Sequence, residues 1–170
     1  MIIRKEKQGD EDAITKLNDV AFNSKEEATI VFRLRASGDL YLSLVAEIDG
    51  EVVGHIAFSS ITVDDYDGEE KFIGLAPMAV VPGQQRRGIG SALVEKGIEI
   101  LKGQGVAAVF VLGHPEYYPK FGFKSSQSTY GIKSTYEVPD EVFMALELKV
   151  GVMTGVRGTA RYCDAFLDED

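Results

Sequence analysis

The sequence holds 170 residues, with 18 Lys+Arg against 27 Asp+Glu, a formal net charge of -9 and a pI near 4.8. That length fits the ~100–200 residues of one domain, and 45% hydrophobic with 26% charged residues excludes global disorder. So acidic a chain is a poor phosphate-tracking nucleic-acid binder; its one cysteine, Cys163, cannot form an internal disulfide, and His55 and His114 lack metal-ligand spacing.

Ile2-Ile3-Arg4-Lys5 reads as a short opening strand, and Met1–Lys7 lacks the apolar core of a secretory leader. Gly9-Asp10-Glu11-Asp12 is a polar start for a helix whose apolar residues Ile14, Leu17, Val20 and Ala21 recur at helical spacing. A second helix is expected from Ser24 to Gly38. Glu26 and Glu27 lie in its first turn, where the helix dipole favours negative charge, and Ile30, Val31 and Leu34 follow. Leu42–Ile48 and Glu51–Ile61 are rich in strand formers and flank Asp49-Gly50, a type I′ turn signal, so they form a hairpin. Residues 64–70 make an exposed acidic turn. Lys71–Val81 is a strand buried on both faces and closed by Pro82-Gly83. Arg87–Lys102 is a helix with Leu93, Ile98 and Leu101 on one face, ended by Gly103 and Gly105.

Val106–Leu112 is the longest apolar run. It is far short of the ~20 residues of a membrane span and fits a strand inside a covered sheet. Strand, glycine-rich turn, helix and strand over Ile73–Leu112 make a parallel βαβ unit. Pro115–Phe121 is a short helix or turn, Val142–Leu148 another strand, and an irregular segment runs to Phe166 before a frayed tail, Asp168–Asp170. The expectation is one cytoplasmic domain spanning 1–170, with a mixed sheet and helices on both faces.

The chemistry is concentrated in Val81-Pro82-Gly83-Gln84-Gln85-Arg86-Arg87-Gly88-Ile89-Gly90-Ser91-Ala92. Glycines between a strand and a helix let main-chain N–H groups face a ligand, and the helix N-terminus adds positive partial charge. Arg86 and Arg87 add full charge, so a diphosphate is the natural guest. A Walker A loop fails here, because Ile89-Gly90 replaces its Lys and hydroxyl. A dinucleotide fingerprint also fails, because Leu93 fills its third glycine. Q-x-x-G-x-G is met in full by Gln85-Arg86-Arg87-Gly88-Ile89-Gly90.

Met78-Ala79-Val80-Val81-Pro82 with this run resembles motif A of the GCN5-related N-acetyltransferases (GNAT). Tyr117-Tyr118-Pro119-Lys120-Phe121-Gly122-Phe123 resembles that superfamily's Y-x-x-x-G-F signature after the fifth strand. The strand–helix–helix–hairpin opening of residues 2–61 fits as well. The Glu147-Leu148 and Tyr162–Phe166 regions look most like a bacterial branch of predicted acetyltransferases with unassigned substrates. The resemblance implies a mixed, mostly antiparallel α/β sheet whose central parallel pair, the fourth and fifth strands, splays at a bulge. Pro77, which cannot donate to a ladder, is tolerable at such a bulge. Core motifs would span 71–123 and C-terminal strands and tail 124–170.

It also implies acetyl-CoA as cosubstrate, with no metal. Backbone N–H groups of Gln85, Arg86, Arg87, Gly88, Ile89 and Gly90, at the helix start with Ser91, would hold the pyrophosphate. The backbone of Met78, Ala79 and Val80 would carry the pantetheine and polarise the acetyl carbonyl. Tyr118 would donate a proton to the departing sulfur, with Tyr117 packing beside it. Where some branches carry a basic glutamate in the fourth strand, this sequence has Gly74. Glu47, Asp64, Asp65, Glu69 and Glu70 are candidate bases by charge only, His114 could assist from its turn, and Cys163 is expected to pack. The acceptor, an amine on a small molecule or peptide, would sit between the Ser24–Gly38 region and the Ser125–Asp140 loop of a monomer or homodimer. The leading alternative is a non-catalytic acyl-CoA-binding or sensing module, and a P-loop or dinucleotide enzyme is the third.

Overall fold

The computed structural model of the chain describes residues 1–167; the tail Asp168–Asp170, expected to fray, lies outside them. In chain order the elements are β1 (Ile2–Lys5), α1 (Glu11–Phe22), α2 (Glu26–Ser37), β2 (Leu40–Ile48), β3 (Glu51–Val63), β4 (Phe72–Val80), α3 (Ile89–Gly103), β5 (Ala108–Leu112), β6 (Lys124–Ser125), α4 (Ser126–Tyr130), β7 (Ile132–Ser134), β8 (Phe143–Glu147) and β9 (Gly158–Tyr162). Short 3₁₀ turns include Pro82–Gln84 and Tyr118–Phe121. The chain packs as two compact units, Met1–Phe58 with Ala76–Ile100, and Ser59–Leu75 with the residues from Leu101 onward, so β3 and β4 each run from one unit into the other.

In the first unit the strands follow the order β1-β2-β3-β4. β1 lies antiparallel to β2 from Ile2↔Glu47 to Lys5↔Leu44. Asp49 and Gly50 join β2 to β3 with φ of 50° and 81°, the two positive values a type I′ turn requires. Alternation along β3 then sorts the helices onto two faces. A Cβ on Gly54 would stand 2.9 Å from Ile89 and 3.1 Å from Leu93 of α3, and Phe58 lies directly against Gly97 of the same helix. His55, pointing the other way, meets Asn18 of α1. On that second face Ile14, Val31 and Val45 form a buried cluster joined by Val52, which ties α1 and α2 to β2.

Asp10 stands at the N-cap position of α1 but makes no capping bond. Its carboxylate instead accepts from the Arg4 guanidinium at 2.8 Å and from the Lys7 N–H at 2.8 Å. The Arg4 hydrogen bond holds the Asp10 carboxyl down at about 2. His55 is fully buried; Asn18 Nδ2 donates to its Nδ1 at 3.4 Å, which leaves Nε2 to donate to Ser43 Oγ at 2.9 Å. Burial, then the Arg35 charge, push the imidazole down to about 3, so it is neutral.

In the second unit β4 pairs parallel with β5 over four positions, Phe72↔Ala108 to Leu75↔Val111, and the ladder ends there. The cis peptide Ala76–Pro77 follows, and a proline has no N–H to extend a ladder. β5 pairs antiparallel with β8, and β6 with β8. The far part of β3 pairs antiparallel with β9, from Ile61↔Tyr162 to Val63↔Ala160. Phe72, Phe110 and Phe143 form an aromatic run with centroids 6.1 and 5.7 Å apart. The fold is therefore the mixed, mostly antiparallel α/β sheet expected.

Two expectations need correction. The segment before Phe166 contains β9 rather than being irregular throughout, and the Ser125–Asp140 loop contains α4 and β7. β7 also pairs parallel with β9, a second parallel pair beyond β4–β5. These strands are two to five residues long, too short for alternation to declare itself, and their partners are distant in sequence.

Candidate functional site

Val81 leaves β4 with its N–H bonded to Val53 O at 2.9 Å, and Pro82–Gln84 turn once in a 3₁₀ helix. Gln85 Nε2 then donates back to Val80 O at 3.1 Å, tying the turn to the strand it left. Arg86 and Gly88 take φ of 64° and 82°, a conformation that suits glycine and that Arg86 adopts at a cost. Regular helix bonding begins with Ala92 N–H to Gly88 O at 3.0 Å. Among the described residues no main-chain carbonyl accepts from the N–H groups of Arg86, Arg87, Gly88, Ile89 or Gly90. A Cβ on Gly83 or Gly88 would meet nothing within 4 Å. Five amides at a helix start that no main-chain carbonyl takes, with both arginines exposed and Arg87 donating to neutral Gln84 Oε1 at 3.2 Å, can donate to several anionic oxygens at once.

The floor of this turn is closely packed. Ile89 and Leu93 are buried, and both press on Gly54 of β3. Close helix–strand approach, which a dinucleotide fold obtains from a helix glycine, is here obtained from a glycine in the strand opposite Leu93. Of the residues expected to carry the pantetheine, Ala79 is buried, while Met78 and Val80 are half-buried at the end of β4.

Tyr118 lies in the second unit, in the turn that follows β5. Both Tyr117 and Tyr118 donate their N–H to His114 O, at 3.1 and 3.4 Å. Gly122 closes the turn at φ 100°, its N–H bonded to Pro119 O at 3.0 Å. Phe123, released by that turn, packs edge-on to Tyr118 at 5.6 Å. The spacing Y-x-x-x-G-F is thus one turn of 3₁₀ helix, a left-handed exit and an aromatic clasp. On its other side Tyr118 lies against Gly113, where a Cβ would run into its ring. Burial, then Tyr117, push the Tyr118 phenol up to about 12, so it carries its proton at neutral pH.

A family model described as "Acetyltransferase (GNAT) family" matches residues 11–123. The chain belongs to the GNAT acetyltransferase family. The uncharacterized N-acetyltransferase YjhQ of Escherichia coli strain K12 is 37% identical over 79% of this chain and 75% of its own length. A crystal structure of E. coli YhbS in complex with CoA is 34% identical, with TM-score 0.91 over 97% of this chain and 91% of that one. A Brucella melitensis GNAT acetyltransferase in complex with acetyl-CoA is 35% identical, with TM-score 0.81 over 97% of both chains.

In this GNAT acetyltransferase three of the carboxylates singled out by charge are engaged elsewhere. Glu47 accepts from Arg4 at 2.7 Å, Asp64 from Arg161 at 2.8 Å and Glu70 from Lys149 at 2.8 Å. Asp65 is exposed in the turn after β3 with φ 70°, and Glu69 is exposed in the stretch before β4. His114 is exposed; with Pro115, Glu116 and Tyr117 it lines a concavity of about 440 Å³. Tyr117 packs as expected, edge-on to Tyr118 at 5.0 Å and under the Lys120 ammonium at 4.1 Å. Cys163 is half-buried just after β9. Sequence reasoning missed Tyr162, whose ring fills the room over Gly74. A strand-like Thr159-Ala160-Arg161-Tyr162 was the available signal.

Proposed function

We propose that this GNAT acetyltransferase transfers the acetyl group of acetyl-CoA to a primary amine of a small molecule or peptide by direct attack, with residues 1–170 working as a single N-acetyltransferase domain. The observation that carries the reading is the row of N–H groups from Arg86 to Gly90 that no main-chain carbonyl takes among the described residues, with open room at Gly88. These amides suit the pyrophosphate of the coenzyme, and two relatives at 34% and 35% identity were crystallised with CoA and acetyl-CoA. Gln85 braces the turn, Ser91 extends the helix start, and Arg86 and Arg87 supply charge. Met78, Ala79 and Val80 present the main chain that carries the pantetheine arm, and one of their N–H groups polarises the acetyl carbonyl. Losing a comparable oxyanion donor costs roughly 10²–10³ in rate.

Acetyl-CoA supplies an activated acetyl group as a thioester. The neutral amine attacks the acetyl carbon, the C–S bond breaks, and the sulfur takes a proton from Tyr118. A phenol held at about 12 stays protonated until negative charge develops beside it, so it acts as a donor. The residues from 71 to 123 carry the donor chemistry and those from 124 to 170 complete the domain. No helix of the described residues is long and apolar enough to cross a membrane, and the proposed setting is the cytoplasm, as a monomer or homodimer.

A melting scan with CoA, ATP and NAD, each at about 100 Kd, separates the nucleotide classes, since binding at that level adds about 2.7 kcal/mol. CoA alone should stabilise; stabilisation by ATP or NAD instead overturns the assignment. Thiol release from acetyl-CoA across a panel of small amines and peptides then tests transfer, and binding without turnover on any of them favours the acyl-CoA sensor.

A further inference from the structure

The stretch expected to border the acceptor, between β6 and β8, is held in shape by side chains bonded to main chain. Ser126, fully buried, donates its hydroxyl to Ile132 O at 2.8 Å. Asp140 Oδ1 accepts the Ser128 N–H at 3.3 Å, and Ser134 Oγ accepts the Tyr136 N–H at 3.0 Å. These bonds tie together α4, β7 and the 3₁₀ turn Asp140–Val142. Residues of all three, with Phe143 of β8, line a cavity of about 220 Å³. Phe143 is buried and stacks on Phe110 at 5.7 Å, and the second aromatic wall, Tyr136, stands 6.5 Å from the Tyr162 ring.

Lys133, Glu137 and Asp140 bring charge to the same lining. Lys133 and Glu137 are opposite in sign, yet among the described residues neither side chain makes a hydrogen bond or ion pair, with the other or elsewhere. Asp140 spends one oxygen on Ser128. Opposite charges that share a small cavity without pairing suit a guest that carries both signs. The cavity is smaller than the ~300–1,000 Å³ of drug-sized sites, so it fits a compact head rather than a length of peptide. Its place matters as well. Phe143 is the register partner of Leu112, and Val142 O takes the Gly113 N–H at 2.9 Å. The cavity therefore lies beside the end of β5, where the turn bearing Tyr118 departs. Phe143 shares the face of Leu112, whereas Tyr118 covers the next position, Gly113, on the other face.

We propose that this cavity seats the zwitterionic head of a free amino acid. Lys133 meets its α-carboxylate, Glu137 and the second oxygen of Asp140 meet its α-ammonium, and the Tyr136 and Phe143 rings flank its aliphatic chain. The acceptor is then a diamino acid, acetylated on its side-chain amine. This rests on the acetyl transfer proposed above. The side-chain amine attacks as the free base, so a C–N bond forms at the acetyl carbon as the C–S bond breaks. The sulfur leaves with the electron pair and takes the Tyr118 proton; the amine sheds its surplus proton to solvent, which restores the phenol. The products are CoA and the side-chain N-acetyl amino acid. Seated on the face of Leu112, the acceptor meets the thioester from the side opposite the acid.

Initial rates with L-lysine and L-ornithine test the seat, each set against its analogue without the carboxylate and its analogue without the α-ammonium (cadaverine and ε-aminocaproate for lysine). One of the two diamino acids should exceed both of its analogues by about tenfold or more in kcat/KM, the scale of one hydrogen bond to a charged group. Lys133→Ala should cost that diamino acid about tenfold more than it costs the analogue without the carboxylate. Glu137→Gln should cost it about tenfold more than the analogue without the α-ammonium. Unchanged CoA affinity checks that both variants are folded. Diamino acids no better than their analogues, variants that slow every amine alike, or a blocked lysine peptide used as readily as free lysine overturn the proposal. Should no amine turn over, acetyl transfer itself fails as the reading, and calorimetry of L-lysine and L-ornithine with the CoA-bound protein decides the cavity. Heat that Lys133→Ala abolishes supports the seat; no heat, or heat that survives the substitution, overturns it.

Discussion

The turn from Gln85 to Gly90 and the tyrosine end of β5 solve opposite problems. The first is largely exposed, made of main chain, and keeps the N–H groups of Arg86 to Gly90 free of main-chain carbonyls among the described residues. The second is buried, made of side chains, and keeps its hydroxyls in an apolar setting that resists ionisation. Both depend on glycine, for different reasons. Gly88 is needed for its backbone angle, since the space beyond it is empty; Gly74 has no unusual angle and is needed because Tyr162 occupies the place of its side chain. A diphosphate must be met by many donors that cost nothing to uncover. A proton must be held where water cannot supply a substitute.

The contrast can be broken most severely at Gly90. Gly90→Val sets a branched side chain among the open amides and should weaken CoA binding by more than about 100-fold while the melting temperature stays near wild type. Titration calorimetry showing normal affinity would end the phosphate assignment. Next in size, Tyr118→Phe should lower kcat by roughly 100-fold or more, the scale of a lost general acid, and leave CoA affinity within about twofold. Turnover unchanged across pH would remove Tyr118 from the chemistry. Smallest, and aimed at the glycines themselves, are two alanine variants. Gly74→Ala overpacks a filled site and should cost about 1–3 kcal/mol; Gly88→Ala meets open space and should cost only the left-handed penalty of about 1 kcal/mol. Urea unfolding of both variants checks the ranking, and the reverse order would mean the two glycines have been given the wrong jobs.

The exposed turn was the more legible of the two regions. The function proposed for it falls on consecutive residues, so Gln85-Arg86-Arg87-Gly88-Ile89-Gly90 displays it in one line, and Asp49-Gly50 displays its hairpin for the same reason. Tyr118 was legible through Y-x-x-x-G-F because Gly122 and Phe123 stand at fixed steps from it. Tyr162 was not. It reaches Gly74 across 88 positions of sequence, through a five-residue strand whose pairing with β3 no local pattern announces. Asp10 shows the same limit on a smaller scale: its place before α1 predicts a capping bond, and Arg4 in β1 takes its carboxylate instead.

His55 ties the stability of the protein to acidity far from either region. An unfolded histidine titrates at its ordinary value of 6.5, whereas the native ring, sealed between Asn18 and Ser43, resists protonation down to about 3. Below 6.5 the unfolded chain therefore binds the extra proton, and folding must expel it into a medium ever richer in protons. Stability should be level above that point and fall by about 1.4 kcal/mol for each further pH unit on the acid side. Urea midpoints that stay flat between pH 6 and pH 4.5 would show that the imidazole has found another way to be charged. For a chain with so many surface carboxylates, the first injury from mild acid would then come from a single uncharged ring at its centre.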